Sequence, residues 1–289
     1  MKNMTSPSVI TEYMQRADFF FKKNLGQNFL KDENVASMIV DALGAGKDDA
    51  VLEIGPGFGA LTQFLAPRAG KVITVEIDPF AAGVIEEVFG ECENVRLVRG
   101  DILRQDISQL LSEYINEGRT VRAISNLPYY ITSQVLIRLL TCGVDFENII
   151  VMVQKEVASR LAAERGTKDY SAFTVLLSYY ARTEKLFEVK STCFMPRPKV
   201  DSAVMRIVPL KERPVTVTDE ERFVKTVRAA FSMRRKTLLN CISSGFGIGK
   251  DEASEMIRSA GFDPSVRGET LSLEDFAALS EKMPSSSED

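Results

Sequence analysis

Between Ala50 and Val153 the sequence alternates short, near-continuous Val/Ile-rich runs with longer amphipathic stretches, and that rhythm leaves few folds open. The runs are Val51–Ile54, Val72–Ile77, Val95–Val98, Ala123–Ser125 and Ile149–Val153. A strand that is apolar on both sides must be covered on both sides, as in a parallel sheet with crossover helices. The expected fold is therefore α/β, a doubly wound, mostly parallel sheet. Thr174–Tyr180 and Ala203–Val208 are predicted as two further strands forming an antiparallel edge. Pro209 and Lys211–Pro214 read as a linker, and beyond it apolar residues recur at helical spacing. There Thr218-Asp219-Glu220-Glu221 reads as a capping box for a helix carrying Phe223, Val227, Ala230 and Phe231. The predicted organisation is an N-terminal extension (1–20), a main domain (21–210), a small all-helical C-terminal domain (211–284) and a disordered tail (285–289).

In open α/β sheets, ligands bind outside the carboxyl ends of the strands. Here the first run enters Gly55-Pro56-Gly57-Phe58-Gly59, where glycines let the backbone approach a ligand and take positive φ. A helix starting near Ala60 would aim its N–H groups at the same place. The second run ends in Glu76-Ile77-Asp78, with Glu76 twenty-one residues after Gly55, about where an acid grips ribose hydroxyls in nucleotide folds. The third ends in Gly100-Asp101 and the fourth in Asn126-Leu127-Pro128-Tyr129. That tetrapeptide offers a ring face, a proline that fixes the chain, and oxygen acceptors, which together suit a flat heterocycle bearing an exocyclic amine. Any one of these pieces alone is a common structural feature; four in order point to a nucleotide-like cofactor.

The chain contains no histidine, which removes the usual general base and every Ser-His or Cys-His nucleophile. Its four cysteines, Cys92, Cys142, Cys193 and Cys241, lack metal-type spacing and read as reduced thiols, so no metal is expected. With no apolar run near the length of a membrane span and no signal-peptide pattern, the expected setting is cytoplasmic. The net charge of −4 hides an uneven distribution. Arg222 to Lys250 holds seven basic residues and no acid, whereas Asp251 to Asp289 holds ten acids and three bases. Such a basic stripe suits a nucleic-acid backbone.

Several segments in fixed order carry a family likeness: 23–30 (Lys-Asn-Leu-Gly-Gln-Asn-Phe-Leu), Glu53–Gly59, Val75–Asp78, Gly100–Ile102, Asn126–Tyr129, Phe194–Ser202 and Phe231–Asn240. With them the chain resembles the ribosomal RNA adenine N6-dimethyltransferases, and among these the bacterial small-subunit type. The resemblance implies a class I methyltransferase fold that uses S-adenosyl-L-methionine. The implied reaction dimethylates N6 of two adjacent adenosines near the 3′ end of small-subunit rRNA, within a pre-ribosomal 30S particle, by a protein monomeric when free. It further implies cofactor contacts at Asn28, Leu30, Gly55, Gly57, Glu76, Ile77, Asp101, Ile102 and Asn126. Catalysis would fall to Asn126, Leu127, Pro128 and Tyr129, with Phe194 stacking on the other face of the base. RNA contacts are expected at Arg197, Lys199, Arg222, Arg228, Arg234, Arg235 and Lys236.

Three other readings stay open. A macrolide-resistance enzyme acting on large-subunit rRNA would share the pocket. A nicotinamide-dependent dehydrogenase fits poorly, because glycines 55–59 follow G-x-G-x-G and not G-x-G-x-x-G. A non-catalytic assembly factor would not need the intact strand-end acids.

Overall fold

The computed structural model describes residues 2–16, 28–127 and 131–285. They fall into two compact units, one made of residues 1–158 and 183–209, the other of residues 159–182 and 210–289.

The first unit opens with helix α1 (Pro7–Arg16), the short strand β1 (Phe29–Leu30) and helix α2 (Glu33–Leu43). Asp32 caps α2 by accepting the Val35 N–H, and Gly44 closes it in the left-handed conformation. Strands β2 (Asp49–Ile54), β3 (Lys71–Glu76), β4 (Val95–Arg99), β5 (Thr120–Asn126) and β6 (Phe146–Gln154) alternate with α3 (Thr62–Arg68), α4 (Pro79–Phe89), α5 (Ile107–Asn116) and α6 (Thr132–Thr141). All five strands are parallel. Every residue of β2 is buried, Asp49 and Glu53 included, as its central place in the sheet demands. After helix α7 (Lys155–Leu161), which straddles the boundary between units, and helix α8 (Ala172–Tyr180) come β7 (Ala181–Val189), β8 (Phe194–Met195) and β9 (Ser202–Pro209). The sheet order is β4-β3-β2-β5-β6-β9-β7, with β9 antiparallel to β6. Chain order reverses at β2, which lies between β3 and β5, so the carboxyl ends of these strands flank a switch point.

Residues 2–16 are part of this unit and not a separate extension. Met4, Ile10 and Tyr13 are buried in one cluster with Phe29, Phe58 and Phe89. The Phe29 and Phe58 rings stack at 4.0 Å.

The second unit is helical, and it begins earlier in the chain than the linker suggests. The predicted strand Thr174–Tyr180 is helix α8, with Ser171 and Thr174 forming a capping box. Six of its nine residues are buried, and a helix apolar nearly all round presents the same continuous run as a buried strand. Its Tyr179 packs on Phe223 of α9 (Glu220–Ala230) at 4.8 Å between ring centroids, which is why residues 159–182 belong with the C-terminal helices. Helices α10 (Leu238–Phe246), α11 (Lys250–Ser259) and α12 (Leu273–Ser280) complete the unit. Asp219, not Thr218, caps α9; Thr218 instead hydrogen-bonds Glu281 through both its N–H and its hydroxyl. No described helix is long and apolar enough to cross a membrane. Of the predicted tail, 286–289 lie outside the described residues.

Candidate active site

The carboxyl ends of β2 to β5 surround a single cavity in the first unit. The turn after β2 shapes one wall. Gly55 and Gly57 have φ of 64° and 58°, values that favour glycine. A Cβ on Gly55 would meet no protein atom within 4 Å, so that position is open for a ligand. Gly59, at φ 90°, has the opposite reason to be glycine: a Cβ there would lie 2.5 Å from the Phe89 ring.

Glu76 ends β3. It is 5% exposed, and its two carboxylate oxygens accept the N–H of Gly57 at 3.0 Å and of Asp78 at 2.8 Å. Burial pushes its carboxyl up from the ordinary range, while these backbone donors pull the other way. Two backbone bonds leave a carboxylate with further acceptor positions, as a ribose diol requires. Asp78 in turn caps α4 by accepting the N–H groups of Phe80 and Ala81. Past β4, Asp101 accepts the Leu103 N–H at 2.9 Å, and Gly100 donates its N–H to the Glu76 carbonyl at 2.8 Å.

Asn126 ends β5, and its Nδ2 donates to the Asn28 carbonyl at 3.2 Å. That bond leaves Oδ1 as the acceptor the side chain can offer. Leu127 is 1% exposed and donates its N–H to the Met152 carbonyl.

All nine residues expected to contact a cofactor line this cavity, together with Leu127. Pro128 and Tyr129 lie outside the described residues. Phe194 does not line the cavity. It is 2% exposed in the core cluster that includes Leu30, its partner across the β1–β8 ladder.

The cavity wall also contains residues the sequence did not single out. Met4 reaches it from the N-terminal segment, held by its N–H on the Gln63 side chain at 3.0 Å. Glu53, inside β2, lines it as well. Its place two residues before the glycine turn was the available signal, masked by the run of apolar neighbours.

Of the expected RNA contacts, Arg197 and Lys199 are exposed in the first unit, Arg197 donating to the Ser191 hydroxyl at 3.1 Å. Within the second unit, Arg228, Arg234, Arg235 and Lys236 are exposed, with Arg234 donating to the Lys168 carbonyl. Arg222 is different. Its side chain is 13% exposed, hydrogen-bonded to Thr218 at 2.7 Å and paired with Glu281 at 3.2 Å. The stretch is free of acids in sequence, but not in space, and Arg222 is a structural ion pair.

The donor set therefore comprises a glycine turn, three carboxyl groups at successive strand ends and an amide. It suits a nucleoside-containing cation, which Glu76 would hold at the ribose and Asp101 at the base amine. The chain is 42% identical over 283 residues to the ribosomal RNA small subunit methyltransferase A of Bacillus mycoides (strain KBAB4), covering 97% of each. It is 43% identical to the protein of the same name from Geobacillus thermodenitrificans (strain NG80-2), covering 96% of each. Among solved structures, a dimethyladenosine transferase from Plasmodium falciparum superposes with a TM-score of 0.69 at 25% identity, over 86% of this chain and 95% of that one. The 23S rRNA methyltransferase ErmE gives 0.61 at 26% identity, over 88% and 99%. The family model described as ribosomal RNA adenine dimethylase matches residues 18–283, and the chain belongs to that family.

Proposed function

We propose that this protein dimethylates N6 of two adjacent adenosines near the 3′ end of small-subunit rRNA, using S-adenosylmethionine, late in the assembly of the subunit. The observation that carries the reading is the convergence of Gly55, Glu76, Asp101 and Asn126, each from a different strand end, on one cavity. Identity of 42–43% to small-subunit methyltransferases, against 26% to the large-subunit enzyme, supports the small subunit as target.

The cofactor supplies a methyl group activated by a sulfonium. What remains for the protein is orientation and electrostatics. The N6 lone pair of adenine is delocalised into its ring and attacks poorly. Asn126 Oδ1, fixed because Nδ2 is held by Asn28, accepts one N6 hydrogen, and a backbone carbonyl at 127 or 128 accepts the other. Both bonds favour a pyramidal nitrogen with its lone pair free. The nitrogen would gain the methyl as the sulfonium S–CH3 bond breaks, its electron pair staying on sulfur as a neutral thioether, and the resulting acidic ammonium would lose its proton to water without a histidine. Exposed Arg228, Arg234, Arg235 and Lys236 hold rRNA phosphates.

The test is transfer of labelled methyl from S-adenosylmethionine to undermethylated small subunits, with large subunits in parallel and the modified nucleosides identified. Dimethyladenosine in the small subunit alone is the expected result; label in large-subunit adenine would favour the macrolide-resistance reading instead.

A further inference from the structure

Glu53 is 1% exposed. Its Oε2 accepts the Thr62 hydroxyl at 2.7 Å, while its Oε1 has no hydrogen-bond partner among the described residues. A buried carboxyl oxygen without a donor is costly, and sequences rarely keep one without a use. Here the residue lines the cofactor cavity, so a bound ligand can supply the missing partner.

The surroundings say which kind of partner. Three acids line the cavity, Glu53 from β2, Glu76 from β3 and Asp101 after β4, and among the described residues no lysine or arginine does. Helix α3 presents the Thr62 hydroxyl and the Thr62 backbone N–H to Glu53, the turn 55–60 carries no charge, and β5 contributes the neutral amide of Asn126. Asp78, beside Glu76, adds another carboxyl, which the N–H groups of Phe80 and Ala81 hold at the start of α4. Such a wall favours a cation and disfavours holding all of its own carboxyls ionised while empty.

We propose that Glu53 is the counter-ion to the positive charge of the cofactor, and that it carries a proton in the empty cavity and releases it to solvent when the cation binds. The proposal rests on the S-adenosylmethionine reading above. Burial, with a smaller push from the Glu76 charge, raises the Glu53 carboxyl to about 8, against which the Thr62 hydrogen bond pulls. At pH 7 the protonated form then leads by about ten to one. Binding of the cation lowers the cost of the charged form, so the proton leaves and affinity is linked to pH. Below that pKa, affinity should tighten by about tenfold per pH unit and level off above it.

The linkage can be measured on the full chain by calorimetry, titrating S-adenosylmethionine at pH 7 in phosphate and in Tris, whose ionisation heats differ. The wild type should release close to one proton per cofactor, whereas neutral adenosine should release none. Glu53→Gln keeps the shape and the Thr62 contact, and it should bind S-adenosylmethionine with no proton released from this site. Thr62→Val removes the side-chain hydrogen bond that favours the ionised form and leaves the backbone one, so the pH at which affinity levels off should move upward. Binding of S-adenosylmethionine by the wild type without proton release, an equal release by Glu53→Gln, or an unshifted profile in Thr62→Val would overturn the proposal alone. Failure of the wild type to bind S-adenosylmethionine at all would overturn the cofactor reading and the proposal with it.

Discussion

The Glu76 carboxylate accepts the backbone N–H of Gly57 at 3.0 Å, so the acid at the end of β3 also fixes the glycine turn after β2. One side chain thereby shapes the wall of the cavity and lines it. Glu76→Ala is expected to act twice. It removes the ribose acceptor, weakening S-adenosylmethionine binding by on the order of 1.5–3 kcal/mol. It also leaves the Gly57 and Asp78 N–H groups without their acceptor and lowers the melting temperature. Calorimetry on the folded variant checks the first effect, and unchanged affinity would remove Glu76 from the site.

Asn126 is held by Asn28, so truncation to Ala deletes the acceptor and the anchor together. Methyl transfer at saturating cofactor should fall by roughly 10²–10³-fold, the usual cost of losing one preorganised polar group. Binding to small subunits should persist. A near wild-type single-turnover rate would place the chemistry elsewhere.

Glu53 makes stability depend on pH in a definite direction. Its folded value, about 8, lies above the ordinary 4.5, so the protonated form is favoured by folding. The contribution is complete below about 4.5 and is lost as pH rises through 8, by on the order of 3–5 kcal/mol in total. Glu76 is shifted the same way, so both acids weaken the cofactor-free fold at alkaline pH. Glu53→Gln should melt higher than the wild type at pH 9 and differ little at pH 5. Denaturant midpoints at both pH values test this; a constant difference between the proteins would contradict it.

Gly59→Ala would place a methyl 2.5 Å from a ring carbon of Phe89, at a φ that alanine resists. Overpacking and backbone strain together should cost about 2–4 kcal/mol. Shrinking the obstacle in a Gly59→Ala, Phe89→Leu double variant should recover part of the loss, as a denaturant series on the four proteins would show.

Much of this is legible in the sequence, for reasons that differ by residue. The central parallel strands announce themselves because a strand covered on both faces is mostly apolar, and the edge strand β4 keeps Val95, Leu97 and Val98 alongside its arginines. Their ends are equally plain, since Gly55, Glu76, Asp101 and Asn126 are polar or glycine residues interrupting such runs. Helix α8 reads as a strand because burial all round erases the helical period. Phe194 gives no sequence signal of its burial, because aromatic side chains look alike in a core and on a platform; its pairing with Leu30 is what buries it. Met4 gives no signal at all, its place at the cavity being set by a contact with Gln63, fifty-nine residues away.

Arg222 and the remaining cations of the second unit should now separate experimentally. Arg222, its side chain only 13% exposed, pairs with Glu281, fifty-nine residues further along and 32% exposed; Arg222→Ala removes that pair while Thr218 still holds the carboxylate, and it should destabilise the fold by roughly 1 kcal/mol. Arg234, Arg235 and Lys236 are exposed, and replacing all three with Ala should leave the melting temperature nearly unchanged. If they hold rRNA phosphates, the triple variant should bind small subunits more weakly. The log–log salt slope should flatten by about one unit for each duplex phosphate that is no longer neutralised. Cofactor affinity should not move, because the cavity is built entirely within the first unit. Cations that merely keep a helical unit soluble would leave binding and slope as they were. Filter binding at three ionic strengths distinguishes these outcomes, and a flattened slope in Arg222→Ala but not in the triple variant would reverse the assignment.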